Sequence, residues 1–333
     1  MSRLNNKLSG TDNVNDYAIS ATQLTRNFSN LTAVSALDLQ VEKQTIYGFL
    51  GPNGSGKTTA IRLLTGLLKP SSGEVNILGC NLPKEAQNLR MKIGYMTQKF
   101  SLYDDLTVKE NLQFVSKIYG LTPNEQKARL SELLSVHQLT QQSNQFADSM
   151  SGGQKQRLAL AASVIHKPKL LFLDEPTSAV DPQNRREFWE QLFDLCDQGT
   201  TILVSTHYMD EAERCHKLAI LENGIKRADD TPQNLMDNMA AQIVEIGAKD
   251  LRHIKDQLIQ LPQVVSAAQL GTHLRVLVNK AEDDPVALLQ QQPCLHTSDK
   301  LALVRPSLED VFVSCTNQKI TDDSSTTSQG GIG

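Results

Sequence analysis

Eight consecutive residues have the spacing of a loop that binds phosphate groups. The pattern G-x-x-x-x-G-K-[ST] fits once, at Gly51-Pro52-Asn53-Gly54-Ser55-Gly56-Lys57-Thr58. Its glycines let backbone N–H groups turn toward phosphate oxygens, while Lys57 can reach β- and γ-phosphates and the Thr58 hydroxyl can ligate Mg²⁺. The loop therefore predicts a nucleotide site, although alone it would suit a kinase, a GTPase or a motor.

A second group of reactive residues lies where an apolar segment ends in two carboxylates, at Leu170-Leu171-Phe172-Leu173-Asp174-Glu175-Pro176. Ligand groups in α/β sheets commonly follow the ends of such strands. Asp174 could hold Mg²⁺, directly or through water, and Glu175 could orient and polarise an attacking water. Alone, the pair would also suit a solvated acidic turn. Beside a phosphate loop, it predicts hydrolysis of a phosphoanhydride.

Apolar strands alternate with helices around these residues, which is typical of a largely parallel α/β sheet. Thr45–Leu50 predicts the strand that leads into the phosphate loop, and Thr58–Leu68 predicts the helix that follows it. Lys169–Leu173 and Thr201–Ser205 are runs expected of strands buried on both faces. Alternating residues between 17 and 41 predict strands of an antiparallel layer.

The chain changes character near residue 240, where short strand-like runs begin to flank helix-like stretches. We predict a flexible tail at 1–16, a nucleotide-binding domain at 17–240 and a small α+β domain at 241–316. The last residues, 317–333, are rich in Ser, Thr and Gly and predict a disordered tail.

Composition narrows the choice of partners. The formal net charge of the 333 residues is −4, so no global basic field calls for nucleic acid. No apolar run approaches the roughly 18–20 residues that span a bilayer, and the polar N-terminus lacks the apolar core of a signal peptide. We therefore expect a chain that stays in the cytosol and reaches a membrane only through a partner.

Further motifs give the phosphate loop a family context. The segment Ser151-Gly152-Gly153-Gln154-Lys155-Gln156-Arg157 resembles the signature of ABC-type ATPases. The family's other motifs follow in order: an aromatic that stacks on adenine, the Q-loop, the D-loop and the switch histidine. The matching residues are Phe28, Gln98, Ser178-Ala179-Val180-Asp181 and His207.

The resemblance implies a P-loop NTPase of ABC type, with a mixed sheet core, an antiparallel β layer and a helical subdomain at about 99–165. It implies ATP and Mg²⁺ as cofactors. Catalysis would fall to Lys57, Glu175 and His207, and the metal ligands would be Thr58, Gln98 and Asp174. Two such domains pair head to tail in this family, so the signature of one chain caps the γ-phosphate held by the other. The nucleotide-binding set therefore comprises Phe28, Gly51 to Thr58, Thr59, Gln98, Ser151, Gly152, Gly153, Gln154 and Asp181.

Softer motifs resemble the subgroup that works with ABC-2-type membrane subunits, which includes many drug exporters. They are the segments 94–98, 106–112, 185–189, 205–212 and 307–313. This resemblance implies export through a separate permease, a second ATP-binding subunit that is identical or similar, and a peripheral position on the cytoplasmic face of the inner membrane. Phe100, Leu102 and Tyr103 are candidate contacts for the permease; they would equally suit packing within the helical insert.

The alternative is a soluble ABC ATPase that acts on nucleic acid or the ribosome. Such proteins usually carry two ATPase domains, a long coiled coil or zinc modules, and none of these patterns is present in the sequence. The slightly acidic charge also favours the transporter interpretation.

Overall fold

The computed structural model describes residues 16–178 and 180–316. The tails predicted at 1–16 and 317–333 lie outside the described residues, apart from Asp16, and so does Ala179 of the predicted D-loop. The described chain divides into two compact units between Lys226 and Arg227. This division falls within the strand Ile225–Asp230, whereas the sequence predicts a boundary at 240.

The centre of the first unit consists of five strands of a six-stranded sheet, in the order β9-β3-β8-β7-β6. Their bounds are β3 (Ile46–Leu50), β6 (Ile93–Met96), β7 (Leu170–Asp174), β8 (Thr201–Thr206) and β9 (Lys217–Glu222). Each neighbouring pair is parallel. The parallel sheet expected from the apolar runs is thus present, and every residue of β3, β7 and β8 is buried.

Alternate residues of the central strands enter two different cores. Leu170 and Phe172 of β7 pack in the core on one face, whereas Leu171 and Leu173 pack in the core on the other. A strand covered on both faces needs apolar side chains at every position, because its side chains alternate between the faces. This explains why β7 is an unbroken apolar run until its first carboxylate, Asp174.

The predicted antiparallel layer has the strand order β2-β1-β4-β5. Its members are β1 (Tyr17–Phe28), β2 (Leu31–Glu42), β4 (Ser72–Ile77) and β5 (Cys80–Leu82). The alternating residues Ile19, Ala21 and Leu24 of β1 are buried in the same core as Leu170 and Phe172. The layer therefore closes one face of the parallel sheet.

Helices surround the sheet. They are α1 (Lys57–Leu64), α2 (Ala86–Arg90), α3 (Val108–Ile118), α4 (Pro123–Val136), α5 (Gly152–Ser163), α6 (Pro182–Asp197) and α7 (Met209–Ala212). Three of them, α3, α4 and α5, lie within the helical subdomain predicted at about 99–165. A Thr caps the N-terminus of both α3 and α4, and a Glu lies three residues after each cap, at Glu110 and Glu125. The hydroxyl and carboxylate bond reciprocally to backbone N–H groups as capping boxes.

The second unit contains an antiparallel sheet in the order β12-β13-β11-β14. The strands are β11 (Ala241–Gly247), β12 (Val264–Leu270), β13 (His273–Asn279) and β14 (Lys300–Val304), and β10 (Ile225–Asp230) leads into this unit. Its helices are α8 (Pro232–Asp237), α9 (Leu251–Leu258), α10 (Pro285–Gln290) and α11 (Leu308–Thr316). Mixed strands and helices match the α+β character predicted for this part of the chain.

Candidate nucleotide site

Three neighbouring parallel strands end at the same edge of the sheet and carry the predicted site residues there. The phosphate loop follows β3, Asp174 ends β7, and His207 follows β8. Leu50 pairs with Thr206, and Asp174 pairs with Ser205, so these ends are level. Parallel pairing thus brings together residues that lie more than a hundred positions apart in the chain.

Two glycines of the phosphate loop have backbone conformations that favour glycine. Gly54 and Gly56 have φ angles of 84° and 101°, a conformation that L side chains rarely adopt. A Cβ on Gly56 would also lie 2.5 Å from the backbone oxygen of Ala33. The tight turn ends at Lys57, where α1 begins and directs its free N–H groups toward the loop, which favours an anion there.

Lys57 joins the loop to the acidic strand end. Its Nζ donates to the carbonyl oxygens of Gly51 at 2.8 Å and Pro52 at 3.0 Å, and it lies 3.2 Å from Glu175 Oε1. The side chains of Lys57 and Glu175 are 4% and 8% exposed, so the pair is held away from bulk water. A buried ammonium at this point suits a polyanionic phosphate group.

Asp174 accepts two hydroxyl hydrogen bonds on one oxygen atom. Thr58 Oγ1 donates to Asp174 Oδ1 at 3.1 Å, and Ser205 Oγ donates to the same atom at 2.8 Å. These oxygen donors fit Mg²⁺, which at nucleotide sites uses one or two protein oxygens together with phosphates and water. Within 16–178 and 180–316 no cluster of three His, Cys, Asp or Glu residues forms a dedicated metal cage.

Glu175 has the geometry expected of the residue that acts on water. Gln98 Nε2 donates to Glu175 Oε2 at 3.0 Å, and His207 Nδ1 lies 3.4 Å from the same oxygen. Glu175 itself has a φ of 47°, in the left-handed region that is strained for a residue with a side chain. The turn is held by Ser205, whose Oγ accepts from the Glu175 backbone N–H at 3.0 Å.

Many of these groups line a cleft of about 500 Å³, whereas Asp174 and His207 are not part of its lining and contact it through Thr58 and Glu175. The predicted residues that line it are Phe28, Asn53, Gly54, Ser55, Gly56, Lys57, Thr58, Thr59, Gln98 and Glu175. Phe28 is 41% exposed, and the Arg26 guanidinium lies 4.5 Å from its ring centroid. Ser55 is buried, and its Oγ has no hydrogen-bond partner among the residues that the structure describes. The cleft thus offers an aromatic face at one end and phosphate-binding groups at the other.

The predicted signature lies at the start of α5. The Ser151 hydroxyl accepts from the Gln154 N–H at 3.3 Å, and the Gln154 side chain accepts from the Ser151 N–H at 2.9 Å. This capping box leaves the N-terminal turn of α5 exposed at Ser151 and Gly152. A Cβ on Gly153 would lie 3.2 Å from the Asn184 side chain, so a larger residue would disturb its contact with α6.

The predicted D-loop residue Asp181 caps α6. It accepts from the N–H groups of Gln183 and Asn184, both at 3.1 Å, and from Asn184 Nδ2 at 2.6 Å. The Asn184 amide hydrogen bond is the main cause that holds the pKa of the exposed Asp181 carboxyl below its usual value. In the described part of the chain, Ser151, Gly152, Gly153, Gln154 and Asp181 are not among the residues that line the cleft.

Comparisons with known proteins place the chain in a family. A family model described as ABC transporter matches residues 34–178. The Nod factor export ATP-binding protein I of Ralstonia nicotianae is 36% identical over 310 residues, which cover 91% of this chain and 95% of the relative. The chain belongs to the ABC transporter family. More narrowly, it is one of that family's ATP-binding ATPase subunits.

Another ABC relative is longer than this chain. The probable multidrug ABC transporter ATP-binding protein YbhF of Escherichia coli is 43% identical over 217 residues. Those residues cover 65% of this chain but only 38% of YbhF, so the chain spans well under half of that relative.

Solved ABC cassettes share the fold. One, an ATP-binding subunit of an ABC transporter, superimposes with a TM-score of 0.61 at 28% identity, covering 66% of this chain and 92% of its own. Another, an ATP-binding cassette solved as a dimer in a post-hydrolysis state with ADP and Pi, has a TM-score of 0.59 at 26% identity, covering 64% of this chain and 98% of its own. The α/β architecture is therefore that of the ABC ATP-binding cassette.

The ABC site also contains residues that sequence reasoning missed. Ser205 bonds to both Asp174 and the backbone of Glu175. The sequence feature that could have located it is a hydroxyl residue near the end of β8, the strand next to β7. Asn223 and Gly224 also line the cleft. Both have positive φ, and Gly224 N–H donates to the Ser55 carbonyl oxygen at 3.0 Å. Asn-Gly between two strands is a hairpin signal that could have located this turn.

Proposed function

We propose that the chain hydrolyses ATP to power export of a substrate through a separate ABC-2-type membrane permease. The observation that carries the proposal is the arrangement of two half-sites. Lys57, Glu175 and Gln98 line one cleft and His207 contacts the Glu175 carboxylate, whereas the signature at Ser151 has no place in that lining. A cleft with hydrolytic groups and a separate anion-binding helix start suits a site completed by a second subunit.

The residues in the cleft divide the chemistry among them. Lys57 would neutralise β- and γ-phosphate charge, and Phe28 would stack on the base. Glu175 would accept a proton from the attacking water, which Gln98 and His207 help to hold through their contacts with the Glu175 carboxylate. Thr58, Asp174 and Gln98 would hold Mg²⁺, which supplies further neutralisation of phosphate charge when bound.

The proposed second subunit, identical or similar, contributes its own signature. Its Ser151 hydroxyl and the backbone N–H groups of Gly152 and Gly153 would meet the γ-phosphate at the start of α5. The exposure of Ser151 and Gly152 supports this role, as does a similar cassette solved as a dimer with ADP and Pi. ATP would thus hold two chains together, and hydrolysis would release them.

An apolar surface of the helical subdomain supports a permease partner. Tyr103, Phe114 and Ile118 are 49%, 40% and 59% exposed, and the Tyr103 and Phe114 rings meet edge to face with centroids 5.0 Å apart. Phe100 and Leu102 are partly buried against the core of the subdomain. Of the three residues predicted as contacts, Tyr103 therefore offers the most surface, together with α3.

The proposed location is the cytoplasmic face of the inner membrane, peripherally bound. No helix within the described ranges is long and apolar enough to span a bilayer. Names of relatives include multidrug transport and Nod factor export, which favour export over action on nucleic acid or the ribosome. The net charge of −4 agrees with that preference.

The proposal is tested by purifying the tagged chain from detergent-solubilised membranes and measuring phosphate release from ATP. We expect ATP turnover and recovery of a polytopic membrane protein. Phe114→Glu with Ile118→Glu should reduce that recovery at unchanged ATP affinity, whereas Val136→Glu on α4, also exposed, should not. Recovery with ribosomes or DNA instead, or no ATP turnover, would contradict the proposal.

A further inference from the structure

A buried carboxylate beside the nucleotide cleft has no part in the chemistry described above. Glu211 lies on the short helix α7 and is 0% exposed. Its Oε1 accepts from Thr177 Oγ1, and its Oε2 accepts from Thr206 Oγ1 at 2.6 Å. Arg185 Nε lies 3.4 Å from Oε1. A carboxylate removed from water is stable only when charge and hydrogen bonds compensate it, and Glu211 has both.

Each partner of Glu211 belongs to a segment that carries a site residue. Thr177 lies in the turn that starts at Glu175. Thr206 ends β8 directly before His207, and its carbonyl oxygen accepts from the Gly51 N–H at 3.4 Å. The third partner, Arg185, lies on α6. One carboxylate therefore joins the segments of the catalytic glutamate, the switch histidine and the D-loop helix.

Tyr208 closes the network around Arg185 and Thr206. The Arg185 guanidinium lies 3.9 Å from the centroid of the Tyr208 ring, and the Tyr208 hydroxyl donates to the Ser178 carbonyl oxygen at 3.4 Å. The Tyr208 N–H donates to Thr206 Oγ1 at 3.0 Å, and that hydroxyl in turn donates to Glu211. Hydrogen bonds linked in this way strengthen one another and are lost together.

We propose that Glu211 is a positioning residue for ATP hydrolysis, which fixes His207 and the D-loop relative to Glu175 through Thr206, Thr177 and Arg185. The inference rests on the hydrolytic function proposed above. The charge of Glu211 matters because two hydroxyls donate to its carboxylate and the positive Arg185 guanidinium lies beside it. Glutamine would present an amide NH₂ to one donor and leave the Arg185 charge poorly compensated. Misplacement of catalytic groups by about 1 Å can lower a rate about a hundredfold.

The network does not hold ATP itself, so binding and turnover should respond differently. We expect Glu211→Gln to lower kcat by about tenfold to a hundredfold while the Kd for ATP changes by less than about threefold. Thr206→Val removes the hydroxyl and should lower kcat in the same way, and Thr206→Ser, which restores the hydroxyl, should recover most of it. The double variant Thr206→Val with Glu211→Gln should lower kcat by less than the product of the two single fold-changes, because both residues belong to one network.

The matched control is Glu213→Gln, which makes the same change two positions away at an exposed carboxylate. The full-length chain is purified for each variant, and kcat, KM, ATP affinity and Tm are measured. Lower kcat at near-parental affinity, with Thr206→Ser active and Glu213→Gln unchanged, supports the inference. Parental kcat in folded Glu211→Gln, or equal loss of affinity and turnover, overturns it. A parent that hydrolyses no ATP would instead contradict the proposed function.

Discussion

Glu175 shows how much of the site depends on one backbone conformation. Its φ of 47° turns the chain directly after β7, and Ser205 holds that turn by accepting from the Glu175 N–H. Strain of this kind persists only when surrounding contacts hold the residue in place. The acidic dipeptide predicted two carboxylates at a strand end. The turn is what gives the two carboxylates different neighbours, with Asp174 beside Thr58 and Glu175 beside Lys57, Gln98 and His207.

Replacing the carboxylate of Glu175 tests its assignment as the base. Glu175→Gln should lower ATP turnover by about a hundredfold to ten-thousandfold, because a positioned base contributes that much to proton transfer. ATP should still bind and hold two chains together, which size-exclusion chromatography with ATP would detect. Glu190→Gln alters an exposed carboxylate of α6 and should retain parental turnover. Parental turnover in Glu175→Gln would show that another group is the base.

Phe28 is the weakest of the predicted nucleotide contacts, since one aromatic residue in an apolar segment is usually core. The structure instead leaves its ring 41% exposed at the cleft. Phe28→Ala should weaken ATP binding about tenfold, or about 1.4 kcal/mol, if the ring stacks on the base. Titration with a fluorescent ATP analogue measures this, and Phe28→Tyr should bind like the parent. Equal affinity for all three would remove Phe28 from the site.

Helix α5 illustrates an element whose sequence signal had two meanings. Ser151 and Gln154 form a capping box, which any helix N-terminus could use. The same geometry leaves backbone N–H groups of Gly152 and Gly153 at an exposed helix start, and such groups bind anions. The helix cap and the proposed signature are therefore the same structure, so a capping role for Ser151 does not exclude a role in binding an anion.

The connection from α5 to β7 contains a histidine that should make stability depend on pH. His166 stacks on Tyr119 with ring centroids 3.6 Å apart, and its Nε2 lies 3.0 Å from the Ile93 carbonyl oxygen. Burial is the main cause that lowers the pKa of His166 from 6.5 to about 4. The unfolded chain therefore takes up a proton first as the pH falls, and stability decreases from about pH 6.5 down to about pH 4.

We expect His166→Gln to reduce this loss of stability, because an amide can still donate to the Ile93 oxygen but does not titrate. Urea unfolding at pH 7.5 and pH 5 measures the difference for parent and variant. Some pH dependence should remain, since burial also lowers the pKa of His137. An equally steep loss in His166→Gln would show that folding does not lower the pKa of His166.

The motif at the start of α11 is explained within the second unit itself. The Ser307 hydroxyl accepts from the Asp310 N–H at 3.3 Å, which fits a helix cap. Asp310 also accepts from Arg275 Nη2 of β13 at 2.6 Å. This segment supported the ABC-2 resemblance in the sequence. Its residues here tie a helix to a sheet, so they carry no separate argument for the partner.

At the scale of the whole molecule, the proposed ATP site is incomplete in one chain. The phosphate-binding cleft and the signature lie at different places on the subunit, and neither has the other's groups. A symmetric pair of chains would provide two complete sites, because each contributes both halves. This arrangement makes a specific prediction about mixtures of inactive subunits.

Lys57→Ala removes the phosphate contact and Ser151→Arg blocks the signature, so each variant alone should lack turnover. In an equal mixture, about half of the dimers combine both variants and contain one intact site, which gives about a quarter of parental activity. Phosphate release, measured after mixing and against each variant at the same total concentration, tests this. Activity no higher than that of the separate variants would contradict a shared site.

The sequence by itself determined the chemistry and the family: the phosphate loop, the acidic strand end and the ordered motifs through His207. Such features are local, because glycines in a loop and apolar runs in a buried strand follow from neighbouring residues alone. It also predicted helices and strands of the second unit, but not β12, whose Val264–Leu270 mixes small and polar residues without clear alternation.

The tertiary structure alone decided how these motifs meet. Parallel pairing of β3, β8 and β7 sets Lys57 3.2 Å from Glu175 and places the Ser205 hydroxyl between the Asp174 carboxylate and the Glu175 backbone N–H. The links through Glu211 depend on pairing and packing between segments far apart in the chain, which no local pattern encodes. Because the positions of the signature and the cleft also depend on such packing, only the folded chain shows that they lie apart. The phosphate loop therefore provides one half of the proposed site.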